Sequence, residues 1–298
     1  MKHLVNKITA CIAMALLGLL PLRAQYPAEL WVVGNISDIN WSLNKGVKCA
    51  NLGEGKYQAL VYRVMNESGD NTEKYYGNFR IVTSLSGSNV TYYGASTSNG
   101  GIPRFADGET KELQSSTTLN GTLDYSLPNT AGCYMLDIDL ANKTISVNSN
   151  YTPKQVFLIR NMSDGRPQYF ASPLNIISSE QEYAGYELPM YYQVAGGLPR
   201  CYYYVAASIG TEWSCINAER YGLNSTAKHE EGTATMLLGS ESPFYTEKEG
   251  AYDIFFNRGT KELTIKLAHP DLYLVGDVNG MNWNQRGNGE KIKFVPET

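Results

Sequence analysis

Two stretches of this chain repeat each other without a gap: Leu30-Trp31-Val32-Val33-Gly34-Asn35, running on to Asn40-Trp41, and Leu272-Tyr273-Leu274-Val275-Gly276-Asp277, running on to Asn282-Trp283. A degenerate copy, Val156-Phe157-Leu158-Ile159-Arg160-Asn161, lies between them, so the chain reads as three tandem units. A second match, Gly132 to Ile138 with Gly250 to Phe256, continues in register through Lys143 and Lys261 to Val147 and Ile265. Each unit therefore opens with an apolar strand and closes with a hairpin, turning at Leu140-Ala141-Asn142-Lys143 or Arg258-Gly259-Thr260-Lys261. A period of roughly 115 to 125 residues is that of a domain, not of a solenoid repeat.

Short runs rich in β-branched and aromatic residues, bounded by Gly, Asn, Asp or Ser, predict strands at 30–33, 57–64, 78–83, 133–139 and 144–147 in the first unit. The second unit repeats the pattern at 156–159, 185–192, 201–207, 252–256 and 262–267. No long stretch has helical periodicity, so the expected fold is all-β, built of tandem Ig-like antiparallel β-sandwiches. The expected boundaries are a leader at 1–25, sandwiches at 26–151 and 152–268, and the truncated start of a third repeat at 269–298. Short linkers at 149–153 and 268–270 suit a semi-rigid string of modules, and the short third unit suits a fragment or a tail packed on its neighbour.

Lys2 and Lys7, the apolar run from Ile8 to Leu20, and Leu22-Arg23-Ala24 before Gln25 have the form of a secretory signal. Cys11 follows Ile8-Thr9-Ala10 in a superficial lipobox, but the apolar run lies after the cysteine, so it reads as an ordinary residue of that run. The mature chain is expected outside the cell, at the outer-membrane surface or secreted. Loss of Lys2, Lys7 and Arg23 leaves 22 basic against 29 acidic residues, taking the formal charge from −4 to −7. An acidic chain without a dense Lys/Arg patch argues against nucleic acid as partner. Four cysteines remain, Cys49, Cys133, Cys201 and Cys215. Pairing within units, Cys49 with Cys133 and Cys201 with Cys215, is the simplest arrangement in an oxidising compartment, with buried free thiols as the alternative.

The motif Leu-Tyr-Leu-Val-Gly-Asp-x-Asn-Gly-x-x-Trp at 272–283 resembles the start of carbohydrate-binding domains in SusE/SusF-type outer-membrane starch-binding proteins and, more distantly, the glycogen-binding modules of amylolytic enzymes. Gly77-Asn78-Phe79-Arg80-Ile81 followed by Tyr92-Tyr93-Gly94-Ala95 is similar to that family's strand, loop and Tyr-Gly. The second unit has Tyr202-Tyr203-Tyr204-Val205, Trp213 and Tyr221-Gly222, and the Gly132-x-Tyr134 and Gly250-x-Tyr252 strands match its final hairpin. The order of these motifs spans essentially the whole mature chain. Two departures stand out: no well-placed lipobox is present, and the position matching Trp41 in the middle unit is Pro167.

The resemblance implies non-catalytic binding of a polysaccharide, an α-glucan such as starch above all, near outer-membrane glycan transporters or amylases. Stacking on pyranose rings needs flat aromatic faces flanked by amides or charged groups. The candidates are Asn40, Trp41, Arg80, Tyr92 and Tyr93 in the first unit, and Trp213, Arg220 and Tyr221 in the second. A structural or adhesive envelope protein on the same scaffold is the alternative, and it would leave those aromatics buried or scattered. Catalysis is not expected: His229 lies in the charged run Lys228-His229-Glu230-Glu231, His269 lies beside Pro270, and no Gly-x-Ser-x-Gly elbow is present. No metal or cofactor is expected, since the cysteines lack close Cys-x-x-Cys spacing and Asp277-Val278-Asn279-Gly280 departs from an EF-hand loop.

Overall fold

The computed structural model describes residues 26–39, 41–63, 77–161, 166–179, 181–191 and 201–268, with the backbone of 273–274 and 292–293. The leader, Asn40, His269 and the Trp283 motif lie outside the described residues.

In chain order the first unit forms β1 (Trp31–Gly34), β2 (Val47–Lys48), β3 (Ala50–Gly53), β4 (Lys56–Arg63), β5 (Asn78–Val82), β6 (Tyr92–Gly94), β7 (Thr110–Glu112), β8 (Gln114–Ser116), β9 (Tyr125–Ser126), β10 (Gly132–Asp139) and β11 (Thr144–Asn148). The second forms β12 (Gln155–Asn161), β13 (Ala171–Ile176), β14 (Glu182–Met190), β15 (Tyr202–Ala206), β16 (Ile209–Gly210), β17 (Arg220–Gly222), β18 (Ala227–Lys228), β19 (Gly232–Thr235), β20 (Leu237–Leu238), β21 (Phe244–Tyr245), β22 (Gly250–Asn257) and β23 (Glu262–Leu267). Beyond them β24 (Tyr273–Leu274) pairs antiparallel with β25 (Ile292–Lys293). The protein is nearly all β, in antiparallel sheets of sandwich type, as the short apolar runs predict.

In the first unit one sheet runs β16-β2-β1-β5-β6-β8 with β9 on β5, and a second runs β3-β4-β10-β11-β7. Alternation along each strand divides its side chains between two faces. Leu30 just before β1, Val32 of β1, Phe79 and Ile81 of β5, Tyr57, Ala59 and Val61 of β4, and Tyr134, Leu136 and Ile138 of β10 meet in one core. The chain passes from the first sheet to the second at Cys49, which is buried in that core.

The internal repeat survives as repeated bonds. Tyr57 donates its hydroxyl to the Pro27 carbonyl, and Tyr183 does the same to Pro153 at 2.7 Å. Tyr134 Oη donates to Thr130 O at 3.1 Å and Tyr252 Oη to Lys248 O at 3.0 Å, each tying the last long strand to the turn before it. In the closing hairpins Asp139 Oδ1 accepts from Asn142 N and Asn257 Oδ1 from Thr260 N, both at 2.9 Å, while Lys143 and Lys261 take left-handed φ of 54° and 61°.

The two units are fused to a degree that short linkers alone do not dictate. β16 of the second unit pairs with β2 of the first, Ile209 opposite Lys48 and Gly210 opposite Val47. The outward face of β4 and β10, with Leu60, Tyr62, Cys133 and Met135, packs into the second unit's core, and Cys215 of the second unit enters the first unit's core. This is why β4 is buried almost along its length and does not alternate between buried and exposed.

A buried ion pair closes the junction. Glu219 accepts from Arg258 Nε at 2.6 Å and Nη2 at 3.0 Å, from Tyr221 Oη at 2.6 Å and from the linker residue Tyr151 Oη at 2.9 Å. The Arg258 guanidinium also lies 5.2 Å from the Tyr151 ring centroid. Burial alone would raise the Glu219 pKa, but the bonds from Arg258 and Tyr221, the Arg258 charge and the Tyr151 hydroxyl outweigh it and hold the group below its ordinary value.

All four described cysteines are free thiols, so the within-unit disulfides are corrected. Cys49 and Cys215 lie in the first unit's core, whereas Cys201 lies in the second's and Cys133 on the sheet face turned toward it, so each expected pair is split between two apolar interiors. Burial pushes the Cys215 thiol up to about 12 and raises the other three as well.

Candidate functional site

The outward face of the β1-β5-β6 sheet holds the first cluster. Val33 sits opposite Arg80 in the β1–β5 ladder, and Trp31, Val33 and Val82 form a small apolar patch there, with Tyr92 of β6 packed against it. Trp41 arrives from the loop after β1 and remains 46% exposed. Its six-membered ring edge lies over Gly34, where a Cβ would come within 2.8 Å of Cζ3 and 2.1 Å of the Asn78 carbonyl, and where φ is +153°. Glycine is thus required twice at this point, for its backbone conformation and for the seat of the indole.

Arg80 supports the ring from the adjoining strand, its guanidinium carbon 5.8 Å from the Trp41 centroid. It is itself buried and held by Asp124, with Nε to Oδ1 at 2.6 Å and Nη2 to Oδ1 at 2.5 Å, and by the Leu119 carbonyl at 2.5 Å. Burial raises the Asp124 pKa, and the facing Arg80 charge and bond only partly offset this. The cluster is therefore a half-exposed indole on a fixed cationic support, with the Arg80 charge paired to Asp124.

Tyr92 shares this outward face, but Tyr93 does not. Adjacent strand residues point to opposite faces, and Tyr93 packs against the sandwich core and lines an end cavity of about 510 Å³ with Tyr26, Glu112 and Lys143. Tyr93 is thereby removed from the expected set, and Tyr221 is corrected for the same reason. Tyr93 and Tyr221 hold equivalent positions, opposite Ile81 of β5 and Val205 of β15. Tyr221 is buried, and its hydroxyl is committed to Glu219.

The second cluster does assemble around Trp213 and Arg220. They line one open cavity of about 430 Å³ with Asn161, Tyr204 and Asn217. Trp213 opens a 3-10 turn, Trp213–Ala218, and packs against a cluster of Phe157 and Ile159 of β12, Ala206 of β15, Ile209 of β16 and Ile216 of the turn itself. Arg220 donates to Ser240 O at 2.9 Å and to Asn217 Oδ1 at 2.9 Å, and its guanidinium carbon lies 5.6 Å from the Tyr204 centroid. Tyr204 in turn donates to Glu241 O at 2.7 Å.

Tyr204, Asn161 and Asn217 were not singled out by sequence reasoning. The first two were legible in principle, because Val33 pairs with Arg80 as Ile159 pairs with Tyr204, and Asn161 matches Asn35 in the repeat. His229, although it lies in a charged run, is half-buried against Phe244, and burial lowers its pKa. Among the described residues no cluster of three or more metal-ligating side chains is present, and no helix is long and apolar enough to cross a membrane.

No family model matches the chain, and no curated protein matches it. Among solved structures, the crystal structure of SusF from Bacteroides thetaiotaomicron is similar at a TM-score of 0.27 and 16% identity, over 92% of this chain and 56% of that one. This is a weak likeness at the level of the fold, and the chain spans little more than half the length of that protein.

Proposed function

We propose that the chain is a non-catalytic glycan-binding protein of the bacterial envelope, which holds an α-glucan by stacking sugar rings on Trp41 and in the Trp213 cleft. The observation that carries this reading is the seating of Trp41. A half-exposed indole fixed over a glycine and backed by a buried Arg80–Asp124 pair offers a pyranose ring a flat, oriented partner. The motif resemblance at both ends of each unit supports the same ligand class. At each cluster a nearby acidic side chain is engaged with the arginine, Asp124 with Arg80 and Glu241 with Arg220, which suits binding more than acid–base chemistry. Export by the leader would place the protein beside glycan transporters or amylases.

Affinity electrophoresis of the mature chain in gels cast with starch, glycogen, xylan or no polymer tests this. Retardation by starch and glycogen only, relieved by Trp41→Ala, is expected. Unretarded migration in every gel would remove the α-glucan reading and leave a structural or adhesive role on the same scaffold.

A further inference from the structure

The two aromatic clusters belong to different units, yet the segments that carry them are stitched together. Ser214 Oγ donates to Ser37 O at 3.0 Å, Gly46 N to Thr211 Oγ1 at 3.0 Å and Thr211 N to Gly46 O at 3.0 Å, and Lys45 Nζ lies 3.3 Å from Glu212 Oε1. Ser37, Lys45 and Gly46, which flank Trp41 in the chain, are thus bonded to residues 211, 212 and 214, which flank Trp213. Trp41 is four residues from Ser37, and Trp213 is next to Ser214. At the reach of an extended chain this holds the two Cα atoms within about 25 Å of each other.

The ground between the clusters is polar. Tyr62 Oη donates to the exposed Asp38 carboxylate at 2.7 Å and lies 3.3 Å from the Ser214 carbonyl, and Asn217 follows three residues later with its amide oxygen on Arg220. Asp38 and Tyr62 at the seam of the two loops, with Asn217 in the Trp213 cleft itself, supply polar groups suited to a polyhydroxylated chain laid across them.

We infer that Trp41–Arg80 and Trp213–Arg220 are the two ends of one composite surface, which takes a single α-glucan chain across the junction of the units. The inference rests on the glycan reading above and adds to it the length and number of the ligands bound. The β16–β2 pairing and the stitched loops set the spacing of the platforms before any ligand arrives, so the second contact is intramolecular and needs no reorientation of domains.

Calorimetric titration of the unaltered mature chain with maltotriose and with maltodecaose tests it without relying on a variant. Two maltotriose molecules bound weakly, against one maltodecaose bound at least tenfold tighter, is the expected result. Trp41→Ala, at an exposed position, should return the maltodecaose affinity to that of maltotriose. Two maltodecaose molecules per chain at the maltotriose affinity would overturn the composite surface while leaving glycan binding intact. Absence of binding by either sugar would overturn both.

Discussion

The outward faces of the two units use the same positions with the residue types exchanged. The first unit has arginine on β5 and tyrosine on β6, Arg80 and Tyr92. The second has tyrosine and then arginine, Tyr204 and Arg220, in the matching ladder positions. Both arrangements put a guanidinium over a ring, but the rings differ. Arg80 backs the half-exposed Trp41 from below, whereas Arg220 covers the buried Tyr204 and leaves Trp213 to line the cleft. The comparison teaches that what the repeat preserves is the scaffold, in the Tyr57/Tyr183 and Tyr134/Tyr252 bonds and the closing hairpins. The outward face is rebuilt from the same few residue types.

The largest effect should come from the part of the second unit that has no counterpart in the first. Arg258→Met leaves Glu219 buried and uncompensated and should cost about 3–5 kcal/mol in denaturant titration, whereas Leu140→Ala, at the matching hairpin position of the first unit, should cost far less. The ion pair also sets an acid limit. With the Glu219 pKa depressed in the folded state, its contribution is present at neutral pH and is lost as pH falls through that lowered value, so Glu219→Gln should flatten the acid limb of a stability–pH profile. A Gln variant that keeps the same acid limb would show that other carboxylates govern it.

Trp213 and Trp41 should separate stability from binding. Trp213→Ala removes a ring packed on an apolar patch and should lower stability by about 2–4 kcal/mol while weakening glycan retention. Trp41→Ala should abolish most of the retention and shift stability by only about 0.5 kcal/mol. Equal losses of stability at the two sites would break the contrast drawn between a supported platform and a packed cleft.

Gly34→Ala sharpens the same point from the backbone side. The added methyl meets the Asn78 carbonyl and the Trp41 ring, so a cost of about 1–3 kcal/mol is expected together with weakened glycan retention, although no ligand-facing side chain is removed. The smallest effect concerns the thiols. In native protein at mildly alkaline pH the described cysteines should react with a thiol reagent only slowly, because burial holds each thiol protonated, and all should react at once in denaturant. Absence of free thiols in the denatured chain would instead establish disulfides.

The sequence alone determined the all-β class and most of the long strands, because period-2 alternation and turn residues are local signals. Glu262–Leu267 was predicted to the residue, and Trp31–Gly34, Asn78–Val82 and Gly132–Asp139 to within one. It named Trp41, Arg80, Trp213 and Arg220 as candidates, but only the structure puts Arg80 against Trp41. The short strands, β2, β3, β6 to β9 and β16 to β21, were not legible, because two to four residues carry too little pattern and form only where the fold brings another strand alongside. Only the tertiary structure decided that Tyr93 and Tyr221 turn inward, since alternation has a period but no origin until one face is buried. It alone decided that the cysteines lie in separate cores and that the two tryptophan-bearing loops meet, because both follow from contacts between residues far apart in the chain, and no local propensity records such contacts.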